Sequence, residues 1–185
     1  MIKSSEASPA GAVRLFFALW PDQAVRRQIA SNLERQDIDF NRCRLVSSSN
    51  LHMTLHFIGN TSLEEMACLD RQARAVVAEP FDLTIDYSGY FKRPKLMWFS
   101  CRQVPQMLYD LHRKLGRQIS QCAFVPEKRD YAPHITAVRK INAEPPVVQF
   151  EPVPWRVDRF VLIESVSIPG GVRYQVVQSY PLSGG

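Results

Sequence analysis

The stretches LHMTLHFIGN (51–60) and PHITAVR (133–139) each place a histidine, one apolar residue and a threonine, in that order, on an otherwise largely apolar run. Successive side chains of a strand point to opposite faces, so His52 and Thr54 share a side, as do His134 and Thr136. Met53, Leu55, Ile135 and Ala137 then turn the other way, into a core. The fold must therefore hold two strands that are apolar on one face and carry an imidazole and a hydroxyl, about 7 Å apart, on the other. Two of the chain's four histidines head this pattern, 82 residues apart.

The rest of the chain supplies strands in pairs between helices. RLFFALW (14–20) reads as a buried strand, and Pro21-Asp22 opens a helix with Val25, Ile29 and Leu33 on one stripe. CRLVSSSN reads as a short strand and a polar loop. TSLEEMACLDRQARAVVAE is a second helix, capped by Thr61 or Ser62 with Glu64 or Glu65 three residues on, and stopped by Pro80. FDLTIDYSGYF and KLMWFSCR, separated by RPK, predict a hairpin. Pro105 opens a third helix whose inner face is Leu108, Leu111, Leu115 and Ile119. PHITAVRK is a strand, EPPVVQFEPVP wraps the surface, and WRVDRFVLIESVSI and VRYQVVQSYPL form a long hairpin about Pro169-Gly170-Gly171. Such an order predicts α+β with largely antiparallel sheets.

Composition narrows the function. An apolar fraction of 45% and a charged fraction of 22% suit a soluble globular chain, and a net charge of +5 favours an anionic partner. Phosphate-bearing ligands are the natural class. LFFALW is too short to span a membrane, and MIKSSEASPAGAV lacks the apolar core of a signal peptide. We expect a cytoplasmic protein, a monomer since no heptad or long apolar edge demands more, and four single thiols at Cys43, Cys68, Cys101 and Cys122. Residues 1–13 are expected to be a disordered tail and 14–182 a single domain. No G-x-G-x-x-G, G-x-x-x-x-G-K-[ST] or G-x-S-x-G motif is present, which argues against Rossmann, P-loop and serine-hydrolase sites.

Two imidazoles meeting over one phosphorus suit phosphodiester cleavage. With an ordinary pKa near 6.5, one ring can be neutral and take a proton from a nucleophile while the other, protonated, gives one to a leaving oxygen. Thr54 and Thr136 can donate to the non-bridging oxygens. No metal or other cofactor is needed. His52 and His56 on a strand lie about 13 Å apart, too far to share a zinc ion. Alternation puts His56 on the His52 face, lining the outer cleft, and Arg139 on the face opposite His134 unless a bulge re-aims it. His112 falls beside the apolar stripe of the third helix. Phe17, Trp98 and Tyr131 are candidates to stack on a base.

HMTLHFIG and PHITAVR closely resemble the paired H-x-T-x motifs of the 2H phosphoesterase superfamily, and within it the bacterial RNA 2′,3′-cyclic phosphodiesterases, the group once called 2′-5′ RNA ligases. RLFFALWPD, Gly59 and Arg139 are similar to that group too. The resemblance implies two pseudo-symmetric lobes of mainly antiparallel sheet, with outer helices, around a central cleft. It also implies metal-independent opening of RNA 2′,3′-cyclic phosphate ends to 2′-phosphates. His52 would be the proton donor to the 3′ oxygen, His134 the acceptor that activates water, and Thr54, Thr136 and Arg139 the phosphate contacts. The residues alone do not say which histidine gives and which takes. Alternatives are joining or cleaving 2′-5′ linkages, hydrolysis of a small cyclic nucleotide, and a non-catalytic RNA or nucleotide binder.

Overall fold

The computed structural model describes residues 12–36, 38, 43–141 and 150–184; the expected tail lies, through residue 11, outside them. Strand β1 (Val13–Leu19) leads into helix α1 (Gln23–Glu34), whose first turn is capped by the Asp22 carboxylate accepting from the Val25 amide. A two-residue strand β2 (Arg44–Leu45) precedes a single 3-10 turn at Ser48–Asn50 and the first motif strand, β3 (Met53–Thr61). Helix α2 (Leu63–Arg74) starts at Ser62, which with Glu65 forms the capping box that the sequence offers.

Strands β4 (Phe81–Ile85), β5 (Tyr87–Phe91) and β6 (Leu96–Ser100) lead to helix α3 (Gln106–Ile119), and the second motif lies on β7 (Ile135–Arg139). Strand β8 (Val153–Val157) precedes the closing hairpin β9 (Arg159–Ile168) and β10 (Gly171–Pro181). All pairings are antiparallel, as expected: one sheet in the order β10-β9-β1-β3-β7-β6-β5, with β2 beside β7, and a separate ribbon of β4 and β8.

One face of the large sheet packs against the three helices and the β4–β8 ribbon. Val25, Ile29 and Leu33 from α1 and Leu108, Leu111, Leu115 and Ile119 from α3 are buried there, together with Met53 and Ile135 of the motif strands. Each such side chain contributes on the order of 1.5–3 kcal/mol of burial. On the other face Phe16, Ala18, Val161 and Ile163 form a smaller cluster with Trp20 and Tyr174. Polar motif side chains emerge beside that second cluster.

Four expectations need correction. FDLTIDYSGYF is two strands, not one: β4 joins the ribbon and β5 the large sheet, and the chain turns at Asp86, whose amide donates to the Ser100 carbonyl and whose carboxylate accepts from the Arg102 amide. WRVDRFVLIESVSI likewise breaks at Asp158, so Val153–Val157 pairs with β4 and the end of the Pro-rich stretch is strand. Of that stretch, residues 144–149 lie outside the described residues. Helix α2 ends at Arg74, before Val76-Val77, rather than at Pro80; β-branched residues crowd a helix and end it early.

Cys68 and Cys122 are not single thiols: they form a disulfide that ties α2 to the turn after α3. The bond closes a loop across a sequence separation of 54, a constraint on the unfolded chain typically of about 2–4 kcal/mol. Cys68→Ser is therefore expected to lower the melting temperature by roughly 4–16 °C, read by calorimetry beside the oxidised wild type. An unchanged melting temperature would show that the bond adds nothing to stability.

Candidate active site

The two motif strands meet at a single pair, Met53 opposite Ile135, and then diverge. Carried one position either way, this antiparallel register sets His52 across from Thr136 and Thr54 across from His134. Each histidine thus faces the other motif's threonine, about a local two-fold axis through Met53 and Ile135. The cavities agree: His52, Thr136 and Arg139 line one mouth of the cleft, and His134 and Thr54 line the other.

Backbone carbonyls orient both rings in the same way. His52 Nδ1 lies 2.7 Å from the Asn50 carbonyl and His134 Nδ1 lies 2.8 Å from that of Ala132. A carbonyl only accepts, so each Nδ1 carries the proton and donates it, and in the neutral ring Nε2 is left as the nitrogen with a free lone pair. The segment before His134 is anchored in turn by the Ser100 hydroxyl, which donates to the Pro133 carbonyl.

A bulge follows the threonine on both strands. On β3 the register to β1 jumps from Thr54 to His56, leaving Leu55 as the extra residue; on β7 the register to β6 jumps from Thr136 to Val138, leaving Ala137. The consequence for His56 is a correction. It turns away from the His52 face and is only 5% exposed, with its Nε2–H donated to the His112 carbonyl. Arg139 is the mirror case. Its bulge brings it back to the Thr136 side, where it lines the His52 mouth. Its counterpart by symmetry, five residues after His52, is Phe57, 55% exposed at the His134 mouth. The cleft is symmetric in its histidines and threonines and asymmetric in what surrounds them.

His52 sits in an aromatic box of Phe16, Trp20 and Tyr174, with centroids 4.9, 5.9 and 5.1 Å away, and the Arg26 guanidinium lies 4.3 Å from the far ring, Trp20. His134 meets the edges of Phe91 and Trp98 at 5.4 and 6.3 Å. Trp98 lies flat over Gly89 in the paired strand, where a β-carbon would come within 2.2 Å of the indole, so only glycine fits there. Desolvation in these settings pushes His52 down to about 4, with the charges of Arg139, His134 and Arg26 adding to it. His134 is lowered for the same first reason, then by Arg129 and Arg139. In both rings burial favours the neutral form.

Each of the stacking candidates is already packed against other protein side chains. Phe17 is fully buried in the core. Tyr131 stacks on His112 at 4.0 Å and donates its hydroxyl to the Thr54 carbonyl, bracing β3. Trp98 is wedged between Gly89, Phe91 and His134. His112 itself is stacked between His56, at 4.1 Å, and Tyr131. Residue type and spacing could not single out Trp20 and Tyr174, which reach His52 from separate segments, nor Asn50, whose local contact is made by its backbone carbonyl.

Comparison with known proteins identifies the family. A family model described as the 2′-5′ RNA ligase superfamily matches residues 21–167. An RNA 2′,3′-cyclic phosphodiesterase of Escherichia coli K12 is 29% identical over 174 residues, covering 92% of this chain and 97% of that protein. One from Thermotoga maritima is 26% identical, covering 94% and 97%. Among solved structures, E. coli LigT in its apo form superposes with a TM-score of 0.82 at 28% identity, covering 94% of this chain and 99% of LigT. LigT complexed with 3′-AMP gives 0.82 at 29%, covering 93% and 99%.

Proposed function

Since the chain belongs to the 2′-5′ RNA ligase superfamily, we propose that it hydrolyses RNA 2′,3′-cyclic phosphate ends to 2′-phosphates, with His52 and His134 as acid and base. The observation that carries this reading is the facing of two Nε2-active imidazoles across a local two-fold, each opposite a threonine hydroxyl. Relatives named RNA 2′,3′-cyclic phosphodiesterase cover nearly the whole chain, and a similar fold takes the nucleotide 3′-AMP, both in support.

In the proposed reaction His134 takes a proton from water as the water oxygen bonds to phosphorus. The bond from phosphorus to the 3′ oxygen breaks on the opposite side, and His52 gives that oxygen its proton. Thr54, Thr136 and the Arg139 guanidinium hold the non-bridging oxygens as charge builds on them. On this reading the RNA leading to the cyclic end lies in the His52 mouth, which Arg44 and Arg139 line with positive charge.

Because both rings are depressed in the empty site, kcat/KM, which reports the free enzyme, is expected to peak below pH 6.5 and fall as pH rises. A bound phosphate anion favours the imidazolium, so the kcat profile moves to higher pH. Coincident profiles for kcat and kcat/KM would contradict this linkage.

The direct test is incubation with an oligonucleotide ending in a 2′,3′-cyclic phosphate, with and without EDTA, followed by identification of the new end. A 2′-phosphate formed at undiminished rate under chelation supports the proposal; a 3′-phosphate, or a rate restored only by zinc, overturns it. A second reading has its own observation: the His134 mouth holds a cavity of about 310 Å³, lined by Phe57, Phe91 and Phe124, far more than water requires. A nucleoside 5′-hydroxyl entering there in place of water makes a 2′-5′ linkage, detected as a joined product when a 5′-hydroxyl oligonucleotide is added.

A further inference from the structure

The local two-fold is broken directly behind the catalytic rings. The residue whose carbonyl orients His134 is Ala132, with nothing beyond a methyl group, whereas the residue that orients His52 is Asn50, with a side chain of its own. That side chain reaches away from the ring: Asn50 Nδ2 donates to the Val172 carbonyl at 3.0 Å, at the start of β10. Two residues further along β10, Tyr174 sets its edge against the His52 ring. Asn50 therefore holds both ends of one short circuit, from its own carbonyl to the His52 Nδ1, and from its amide to the strand that carries Tyr174.

A second tie closes the same hairpin over the His52 mouth. Arg44 Nη2 donates to the Gly170 carbonyl at 2.6 Å, two residues before Val172, and its guanidinium lies against Gly171, where a β-carbon would come within 2.7 Å of Nη2. Residues 44–50 thus reach the hairpin tip at alternate carbonyls, and both sides of this clasp line the cavity that contains His52, Thr136 and Arg139. The backbone of Asn50 is fixed from behind as well, its amide donating to the Ser47 carbonyl at 2.8 Å.

We propose that Asn50 is a positioning residue for the reaction: it couples the β9–β10 hairpin to His52, fixing that ring in a single tautomer and orientation, a device His134 does not have. The inference rests on the two-histidine reading above for its kinetic consequence, but not for its structural one. A ring held by a tethered carbonyl on one edge and by Tyr174 on its flank keeps Nε2 aimed at the leaving oxygen. Released from the tether, the Asn50 carbonyl keeps only the restraint of the turn behind it, the acceptor of Nδ1 is less firmly fixed, and the proton is shared between the two nitrogens.

The test uses the full chain and two variants. Asn50→Ala removes the amide; Asn50→Asp keeps the size and removes the N–H donor, setting a carboxylate against the Val172 carbonyl. Histidine ring ¹⁵N spectra at pH 7, with no substrate present, are expected to show His52 as one tautomer protonated at Nδ1 in the wild type. Both variants should show a mixture of tautomers, with His134 unchanged as the internal reference. On a cyclic-phosphate oligonucleotide, kcat is expected to fall about 10–100-fold with KM within about twofold, as a small misplacement of a reacting group does.

A merely structural asparagine would lower the melting temperature and leave the tautomer and kcat alone, and that result overturns the proposal. So does an equal change at His134. Wild type that shows a single His52 tautomer yet has no activity on cyclic ends would sink the functional reading while leaving the positioning one standing.

Discussion

Replacing His134 with alanine is expected to slow hydrolysis of a cyclic-phosphate end by about 10²–10⁴-fold, the usual worth of a positioned general base. His52→Ala should cost a similar factor by removing the acid. The double variant should be scarcely slower than either single one, because the two proton transfers belong to one step and their losses do not add. Both histidines are half-buried at the cleft and the larger core lies on the other face of their strands, so the fold should survive both changes. Initial rates on the oligonucleotide, alongside circular dichroism, check this. Near-wild-type turnover in either single variant would remove that histidine from the chemistry.

The second large effect belongs to Arg139. If Arg139 holds the developing phosphorane oxygens as proposed, taking away that charged donor is expected to lower kcat/KM by about 10²–10³-fold. Arg139→Lys should recover only part of that, since an ammonium keeps the charge but lacks the planar fork that fits two phosphate oxygens. The pH profile supplies a sign. Arg139 is one of the causes that hold both His52 and His134 below the ordinary histidine value, so Arg139→Ala should move the kcat/KM profile to higher pH. A profile that stays in place, or moves to lower pH, would mean that Arg139 does not face the two rings.

How far the sequence reached follows from where each signal lived. Alternation over His52-Met53-Thr54 and His134-Ile135-Thr136 needed only the geometry of one strand, and the structure agrees with it residue for residue. Helix stripes such as Val25, Ile29 and Leu33 were legible for the same reason. What followed each threonine was not legible. A bulge inserts one residue without any marker in Leu55 or Ala137, so His56 was expected on the His52 face and instead turned toward His112, at the back of the His134 cavity, while Arg139 needed the bulge to reach the cleft at all. A run such as FDLTIDYSGYF holds enough strand-forming residues to hide a break at Asp86, because the reason for the break is the partner each half finds, β8 or β6. The Cys68–Cys122 bond and the box around His52 depend on segments far apart in the chain, and spacing cannot report them.

Two histidines dividing one proton relay across a phosphorus is the central claim, and a change of leaving atom tests it without ambiguity. An oligonucleotide end whose 3′ oxygen is replaced by sulfur leaves as a thiolate, of pKa near 8.5, which needs no proton from the enzyme. On that substrate His52→Ala should recover most of its lost rate relative to wild type, while His134→Ala, still lacking a group to take the water proton, stays impaired. If both variants remain as slow on the sulfur substrate as on the oxygen one, neither ring is the acid, and the account of this cleft fails.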